Sequence, residues 1–227
     1  MYRGNGNSGW GGASKVGSGW NGFNLVFDAG DFDGDGFADV MGRTPSGDLY
    51  LYRGNGAGGW LGASKIGSGW NGFNAVFGVG DFSGDGNPDV MTRTPNGDLY
   101  LYRGNGSGTW AGSSRIGSGW NGFDTIFGVG DFSGDGNPDV MARTPAGGLY
   151  IYRGNGAGGW SSSANIGSGW NGFNSVFGVG DFSGDGLADV MARTPSGDLY
   201  LYRGNGDSRW SGSSRIGSGW GTLSIVN

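Results

Sequence analysis

Asp31, Asp33, Asp35 and Asp39 fall within nine residues in the stretch GDFDGDGFADV, with Gly34 and Gly36 between them. Like charges this close repel, and together the four carboxylates offer only oxygen acceptors. That donor set suits a hard divalent cation. Calcium takes six to eight oxygens at about 2.3–2.6 Å, and a tight glycine-containing loop turns successive carboxylates inward. The stretch returns as GDFSGDGNPDV, GDFSGDGNPDV and GDFSGDGLADV. The candidate ligands therefore continue through Asp81, Ser83, Asp85 and Asp89, then Asp131, Ser133, Asp135 and Asp139, then Asp181, Ser183, Asp185 and Asp189. A serine hydroxyl in place of Asp33 keeps the spacing and lowers the charge, so the first loop is expected to bind Ca²⁺ most tightly. The seventh position (Phe37, Asn87, Asn137, Leu187) varies in chemistry, as expected if only its backbone carbonyl binds. The alternative is an Asp-Gly turn chosen for positive φ and solubility. It accounts for one or two aspartates per loop, not four. Four Ca²⁺ would move the net charge from −5 to +3 and turn the repulsion into attraction.

These loops recur with a period of fifty. Trp10, Trp60, Trp110, Trp160 and Trp210 keep that spacing, as do Trp20, Trp70, Trp120, Trp170 and Trp220. Within each unit the local signals are those of strands. Ala75–Gly80 is a short apolar run that stops at the acidic loop, and Asp89–Arg93 follows it. The turn Thr94-Pro95-Asn96-Gly97 comes next, then Leu99-Tyr100-Leu101-Tyr102, then a polar strand at Ala63–Ile66 in the preceding copy. No segment has helical periodicity. Four strands per unit of about 40–50 residues mark propeller blades. The expected fold is all-β, a single β-propeller domain over residues 1–227 built from about four and a half repeats, with residues 1–27 and 201–227 as equivalent half-repeats. With the four strands of a unit labelled A to D, A innermost and exemplified by Ala75–Gly80, five C–D hairpins and five D-to-A junctions point to five blades, the last joining a C-terminal strand at 224–227 to the N-terminal hairpin. That blade would have no B strand and no acidic loop. A four-bladed arrangement with a spare hairpin, or a ring closed by homo-oligomerisation, are the alternatives.

GDFSGDGNPDV between two strands resembles the calcium loop of FG-GAP/VCBS-type repeats of integrin-like propellers and secreted bacterial proteins. The D-x-D-x-D-G opening is shared with EF-hand loops, but the glutamate and flanking helices of that motif are missing. The resemblance implies that the loop joins strands A and B, that Ca²⁺ is the cofactor, and that the protein is secreted or extracellular. No signal peptide precedes the first repeat, so export would use a signal removed from this sequence or another route. The junction Trp60-Leu61-Gly62-Ala63-Ser64-Lys65-Ile66-Gly67-Ser68-Gly69-Trp70-Asn71-Gly72-Phe73 resembles the repeat of the tachylectins, five-bladed lectins that bind N-acetylated sugars between blades. It implies glycan partners. Sugars stack their C–H faces on aromatic rings and hydrogen-bond to Asn, Asp and backbone groups. The expected carbohydrate contacts are Trp20 with Asn21, Trp70 with Asn71, Trp120 with Asn121, Trp170 with Asn171, and Trp220, which Gly221 follows in place of Asn. The competing role for any of these tryptophans is blade packing. The arginines of Tyr52-Arg53 and its copies, and Arg43, Arg93, Arg143 and Arg193, are expected to tie blades together rather than line pockets.

Composition narrows the function. Without histidine or cysteine the usual bases and nucleophiles are missing. The paired carboxylates that glycoside cleavage needs lie only in repeated loops that metal would neutralise, so no enzyme activity is expected. Two lysines and no basic stripe argue against nucleic acid. No apolar run reaches the roughly 20 residues of a membrane-spanning helix. Two readings remain. One is a calcium-bound, multivalent lectin-like module for N-acetylated or cell-surface glycans. The other is a structural or engineered repeat scaffold, or protein-interaction module, with no ligand beyond metal.

Overall fold

The structure, a computed structural model, describes residues 1–222. A two-stranded hairpin comes first, β1 (Tyr2–Gly4) and β2 (Trp10–Ala13). Four sheets of four antiparallel strands follow, each meandering in chain order. The first contains β3 (Leu25–Gly30), β4 (Asp39–Arg43), β5 (Leu49–Gly54) and β6 (Trp60–Gly67). The second contains β7 (Ala75–Gly80), β8 (Asp89–Arg93), β9 (Leu99–Gly104) and β10 (Trp110–Gly117). The third runs through β11 (Thr125–Gly130), β12 (Asp139–Arg143), β13 (Leu149–Gly154) and β14 (Trp160–Gly167). The fourth runs through β15 (Ser175–Gly180), β16 (Asp189–Arg193), β17 (Leu199–Gly204) and β18 (Trp210–Gly217).

The fold is a β-propeller, and among the described residues it has four complete blades rather than the five expected, the arrangement of the four-blade alternative. A complete blade needs all four strands paired in one sheet. The β1–β2 unit carries only C and D, and the A strand expected at 224–227 lies outside the described residues. The outer strands β6, β10, β14 and β18 begin three residues earlier than the polar run suggested, at the tryptophan. Between β6 and β7, and at the equivalent junctions, a single 3-10 turn (Trp70–Gly72 in that copy) replaces the loop expected there.

The described residues form two compact units, one with residues 14–121 and the other with residues 2–13 and the chain from Gly122 onward. In each, alternation along the strands fills the core. In β9, Leu99 and Leu101 are fully buried while Tyr100 and Tyr102 are half-buried, as period-two side-chain direction requires. Phe27, Met41, Leu49 and Leu51 form the heart of the first unit's core, and Phe127, Met141, Leu149 and Ile151 the equivalent in the second.

Adjacent blades within a unit are joined by one repeated contact. Trp60 Nε1 donates to the Val16 carbonyl at 2.8 Å and Trp110 Nε1 to the Ile66 carbonyl at 3.1 Å in the first unit. In the second, Trp210 Nε1 donates to the Ile166 carbonyl and Trp10 Nε1 to the Ile216 carbonyl, both at 3.1 Å. The first tryptophan in these four copies is thus a packing residue with its polar end satisfied.

Candidate metal loops and junction sites

The acidic loops lie between A and B strands, at the blade end they share with the C–D loops. In the first unit, Gly108 N–H donates to the Phe32 carbonyl at 3.1 Å; in the second, Ser208 N–H donates to the Phe132 carbonyl at the same distance. Gly34 and Gly36, at φ +76 and +91, let the first loop coil back on itself. Phe32, within a charged loop, is fully buried and packs edge-on to Trp110 at 4.9 Å. Phe132 meets Trp210 at 4.8 Å in the second unit. These phenylalanines pin the loops to the next blade. An aromatic kept in every copy of a polar loop was the signal for it.

Each ninth-position aspartate is a staple. Asp39 is fully buried; its Oδ2 accepts from the N–H groups of Phe32 and Asp33 at 3.1 and 3.2 Å, and its Oδ1 from Gly54 N–H at 2.9 Å. Asp139 does the same with Phe132, Ser133 and Gly154, and Asp189 with Phe182, Ser183 and Gly204. Asp89 holds Ser83 N–H and Gly104 N–H. Burial pushes the Asp89 and Asp139 carboxyls up to about 6 against the opposing pull of these hydrogen bonds. Asp39 and Asp189 are raised for the same reason.

The first loop differs from the others around its first aspartate. Carboxylate oxygens of Asp31, Asp33 and Asp39 lie within 4.8 Å of one another. Asp31 Oδ2 accepts from Gly36 N–H at 2.9 Å, while Asp31 Oδ1 is shielded from solvent with no hydrogen-bond partner. An orphaned carboxylate oxygen among two other carboxylates fits a hard cation. In the second loop Asp81 spends Oδ1 on the N–H groups of Gly84 and Asp85 and Oδ2 on that of Gly86. Asp131 and Asp181 repeat the pattern. There the shielded atoms without a partner of hydrogen-bond geometry are the hydroxyls of Ser83, Ser133 and Ser183, beside the staple aspartates. Asp35, Asp85, Asp135 and Asp185 are exposed, each accepting from the N–H two residues on.

The junctions lie at the other blade end, with the B–C turns. Trp70 N–H donates to the Gly47 carbonyl at 2.9 Å, and Trp170 N–H to that of Gly147 at 3.0 Å. Arg43 Nη1 donates to the carbonyls of Trp70 and Phe73 at 3.0 and 2.9 Å, and its Nε to Asn24 Oδ1 at 3.0 Å. Arg143 clamps Trp170 and Phe173 and bonds Asp124 in the same way. Arg93 reaches the Trp120 carbonyl and Arg193 that of Trp220. These arginines fasten the junction, as expected.

Trp70, Trp120 and Trp170 are each only 5 % exposed. Trp70 stacks on Trp110 at 5.2 Å and meets Tyr102 at 4.9 Å; Trp170 meets Tyr202 at 4.6 Å and Trp210 at 5.3 Å. Their ring faces are covered, so the stacking platform expected of them is not on the surface. Trp20 and Trp220 are half-buried, against Tyr52 and Trp60 in one unit and Tyr2 and Trp10 in the other. Asn21, Asn71, Asn121 and Asn171 are exposed, and Asn121 Nδ2 donates to the Pro95 carbonyl at 2.8 Å.

Meandering four-stranded blades with an aspartate-glycine loop between A and B define a class of repeat propellers. The chain belongs to the FG-GAP-like repeat family, whose model matches residues 31–92, 81–142 and 131–192, well over half of its length. No curated protein matches it in sequence at a significant level. Among solved structures it is similar to a lectin of Agrocybe aegerita that recognises non-reducing terminal N-acetylglucosamine, at 22% identity and a TM-score of 0.56 over 84% of this chain. It is also similar to a Burkholderia pseudomallei lectin, at 22% identity and a TM-score of 0.55 over 92% of this chain. The chain spans 51% of the first and 60% of the second. At that identity the likeness shows the fold.

Proposed function

We propose that the protein is a secreted, non-enzymatic, multivalent carbohydrate-binding propeller for N-acetylated or cell-surface glycans, stabilised by a divalent cation. The observation that carries the glycan reading is the junction turn. Three copies present an exposed asparagine, Asn71, Asn121 and Asn171, next to a turn held through its tryptophan carbonyl by an arginine, and Asn21 is exposed in a fourth turn. An exposed amide that both donates and accepts suits sugar hydroxyls and acetamido groups. Repeated weak sites gain avidity when a ligand spans them. The two similar lectins support this reading by the role their descriptions give them.

For the cation, Asp31 and Asp33 would hold Ca²⁺ in the first loop, with Asp39 closing the loop beneath it. Bound there, calcium supplies charge neutralisation and a fixed loop geometry, not chemistry on a substrate. The scaffold reading is favoured by the covered faces of Trp70 and Trp170. A glycan array probed in calcium and in EGTA separates the two. Saturable binding of N-acetylated glycans, lost when the four asparagines become alanine, supports the lectin. A blank array with an intact fold supports the scaffold.

A further inference from the structure

Between the first two blades, on the side of the acidic loops, a cleft of about 460 Å³ opens within the first unit. Its volume falls in the range of small-ligand sites, roughly 300–1,000 Å³. Leu51 and Ile66 give it an apolar lining, Ser107 and Thr109 line it with hydroxyls, and Asp33 and Arg53 face each other across it. Arg53 Nε is 4.0 Å from Asp33 Oδ2, too long for a hydrogen bond. The Arg53 side chain is 45% exposed, that of Asp33 13%. Lys65, also on the lining, is already held by Asp48 at 2.6 Å.

The second unit shows one such arginine with its donors occupied. Arg153 Nε donates to Ser208 Oγ and Arg153 Nη1 to Ser162 Oγ, both at 3.0 Å. In the first unit glycines, Gly108 and Gly62, stand at the two serine positions. The Arg53 side chain therefore makes no hydrogen bond among the described residues. The first repeat is also the one in which the loop's third residue is an aspartate, so a planar five-donor fork and a carboxylate acceptor share one cleft.

We propose that this cleft binds an acidic sugar, a uronate, whose carboxylate pairs with the Arg53 guanidinium and whose hydroxyls donate to Asp33. A neutral sugar leaves the guanidinium unpaired. A simple carboxylate such as acetate leaves Asp33 unserved. A uronate serves both, and its C–H face lies toward Ile66, which is half-buried on the lining. The proposal takes its ligand class from the carbohydrate reading above but uses a site at the opposite end of the blades from the junctions.

The test titrates glucuronate and galacturonate into the full chain in EGTA, so that no cation competes for Asp33, and follows amide shifts by NMR. Saturable binding is expected, with glucose and acetate weaker by about tenfold or more, the equivalent of one charge-assisted hydrogen-bond pair. Arg53→Met should weaken uronate binding by a similar factor, and Arg153→Met should leave it unchanged. Gly108→Ser, which copies Ser208 and its φ of 55, should occupy the guanidinium and weaken binding with the fold retained. Retained uronate binding in the fourfold Asn21, Asn71, Asn121, Asn171→Ala variant supports a site separate from the junctions. Saturable glycan binding at the junctions without uronate binding overturns the cleft alone. Equal affinity for glucose, or unchanged affinity in both Arg53→Met and Gly108→Ser, also overturns it.

Discussion

Gly78 of β7 lies so close to Asp28 of β3 that a Cβ on the glycine would collide with the aspartate's carbonyl oxygen. Gly178 of β15 stands in the same relation to the Gly128 carbonyl on β11. The inner strands of neighbouring blades in each unit meet backbone to backbone, and only glycine permits it. A Cβ at either site must push two strands apart. Gly78→Ala and Gly178→Ala should each cost about 1–3 kcal/mol, the usual penalty of overpacking. Gly172→Ala, whose Cβ would meet nothing within 4 Å, should change stability by no more than about 0.5 kcal/mol. Urea unfolding of the three variants checks the contrast, and equal losses would contradict it.

The buried tryptophans and exposed asparagines of the junction should separate stability from binding. Trp70→Ala removes a ring packed on Trp110, Tyr102 and Phe73 and should destabilise by about 3–5 kcal/mol. Asn71→Ala leaves the turn's backbone bonds to Gly47 and Arg43 in place and should leave the melting temperature nearly unchanged. On the lectin reading it lowers glycan binding. Thermal melts run beside array signal for both variants show whether the two effects part as stated.

The blade interior was largely legible in the sequence. Ala75–Gly80 is an apolar run that stops at the acidic loop and Asp89–Arg93 follows that loop, and both form strands with those bounds. Trp60-Leu61-Gly62 reads locally as a glycine-rich loop; it joins β6 because Trp60 pairs with Gly54 and its indole reaches Val16. Those contacts are tertiary and leave no local pattern. The turn at Trp70–Gly72 is one 3-10 turn, too short to show a period. The spacing of the aspartates identified the loops but not the division of labour within them. Asp39 closes onto Gly54, fifteen residues on, a partner that only the paired strands bring near. With two tryptophans per repeat, nothing local showed that Trp70 would be covered by the next blade's Tyr102 and Trp110.

Asp31 and Asp39 should therefore respond differently to amidation. Asp39→Asn replaces a carboxylate that accepts from three backbone N–H groups with an amide that can present donors to them. It should destabilise the protein by about 2–3 kcal/mol even in EGTA, the scale of hydrogen bonds to a charged group. Asp31→Asn removes a carboxylate with one oxygen left unpartnered and should be close to neutral in EGTA. It should also remove most of the rise in melting temperature that calcium gives the parent protein, since a ligand bound only to the folded state stabilises by mass action. Melts of the parent and both variants, with calcium and with EGTA, are the measurement. A parent protein indifferent to EGTA would count against the cation.

Thr92 in β8 is fully buried, and its Oγ1 has no hydrogen-bond partner. The other repeats carry Gly42, Ala142 and Ala192 at this position, so the second blade alone bears a β-branched hydroxyl there. A buried hydroxyl left unpaired costs about 1–3 kcal/mol, while the methyl that would be lost with it contributes about 0.8 kcal/mol. Thr92→Ala should then stabilise the protein, by up to about 2 kcal/mol. Thr92→Val keeps the shape, loses only the polar atom, and should stabilise at least as well. Denaturant midpoints for the two variants give the sign directly, and a loss of stability in Thr92→Val would mean that the hydroxyl is hydrogen-bonded after all.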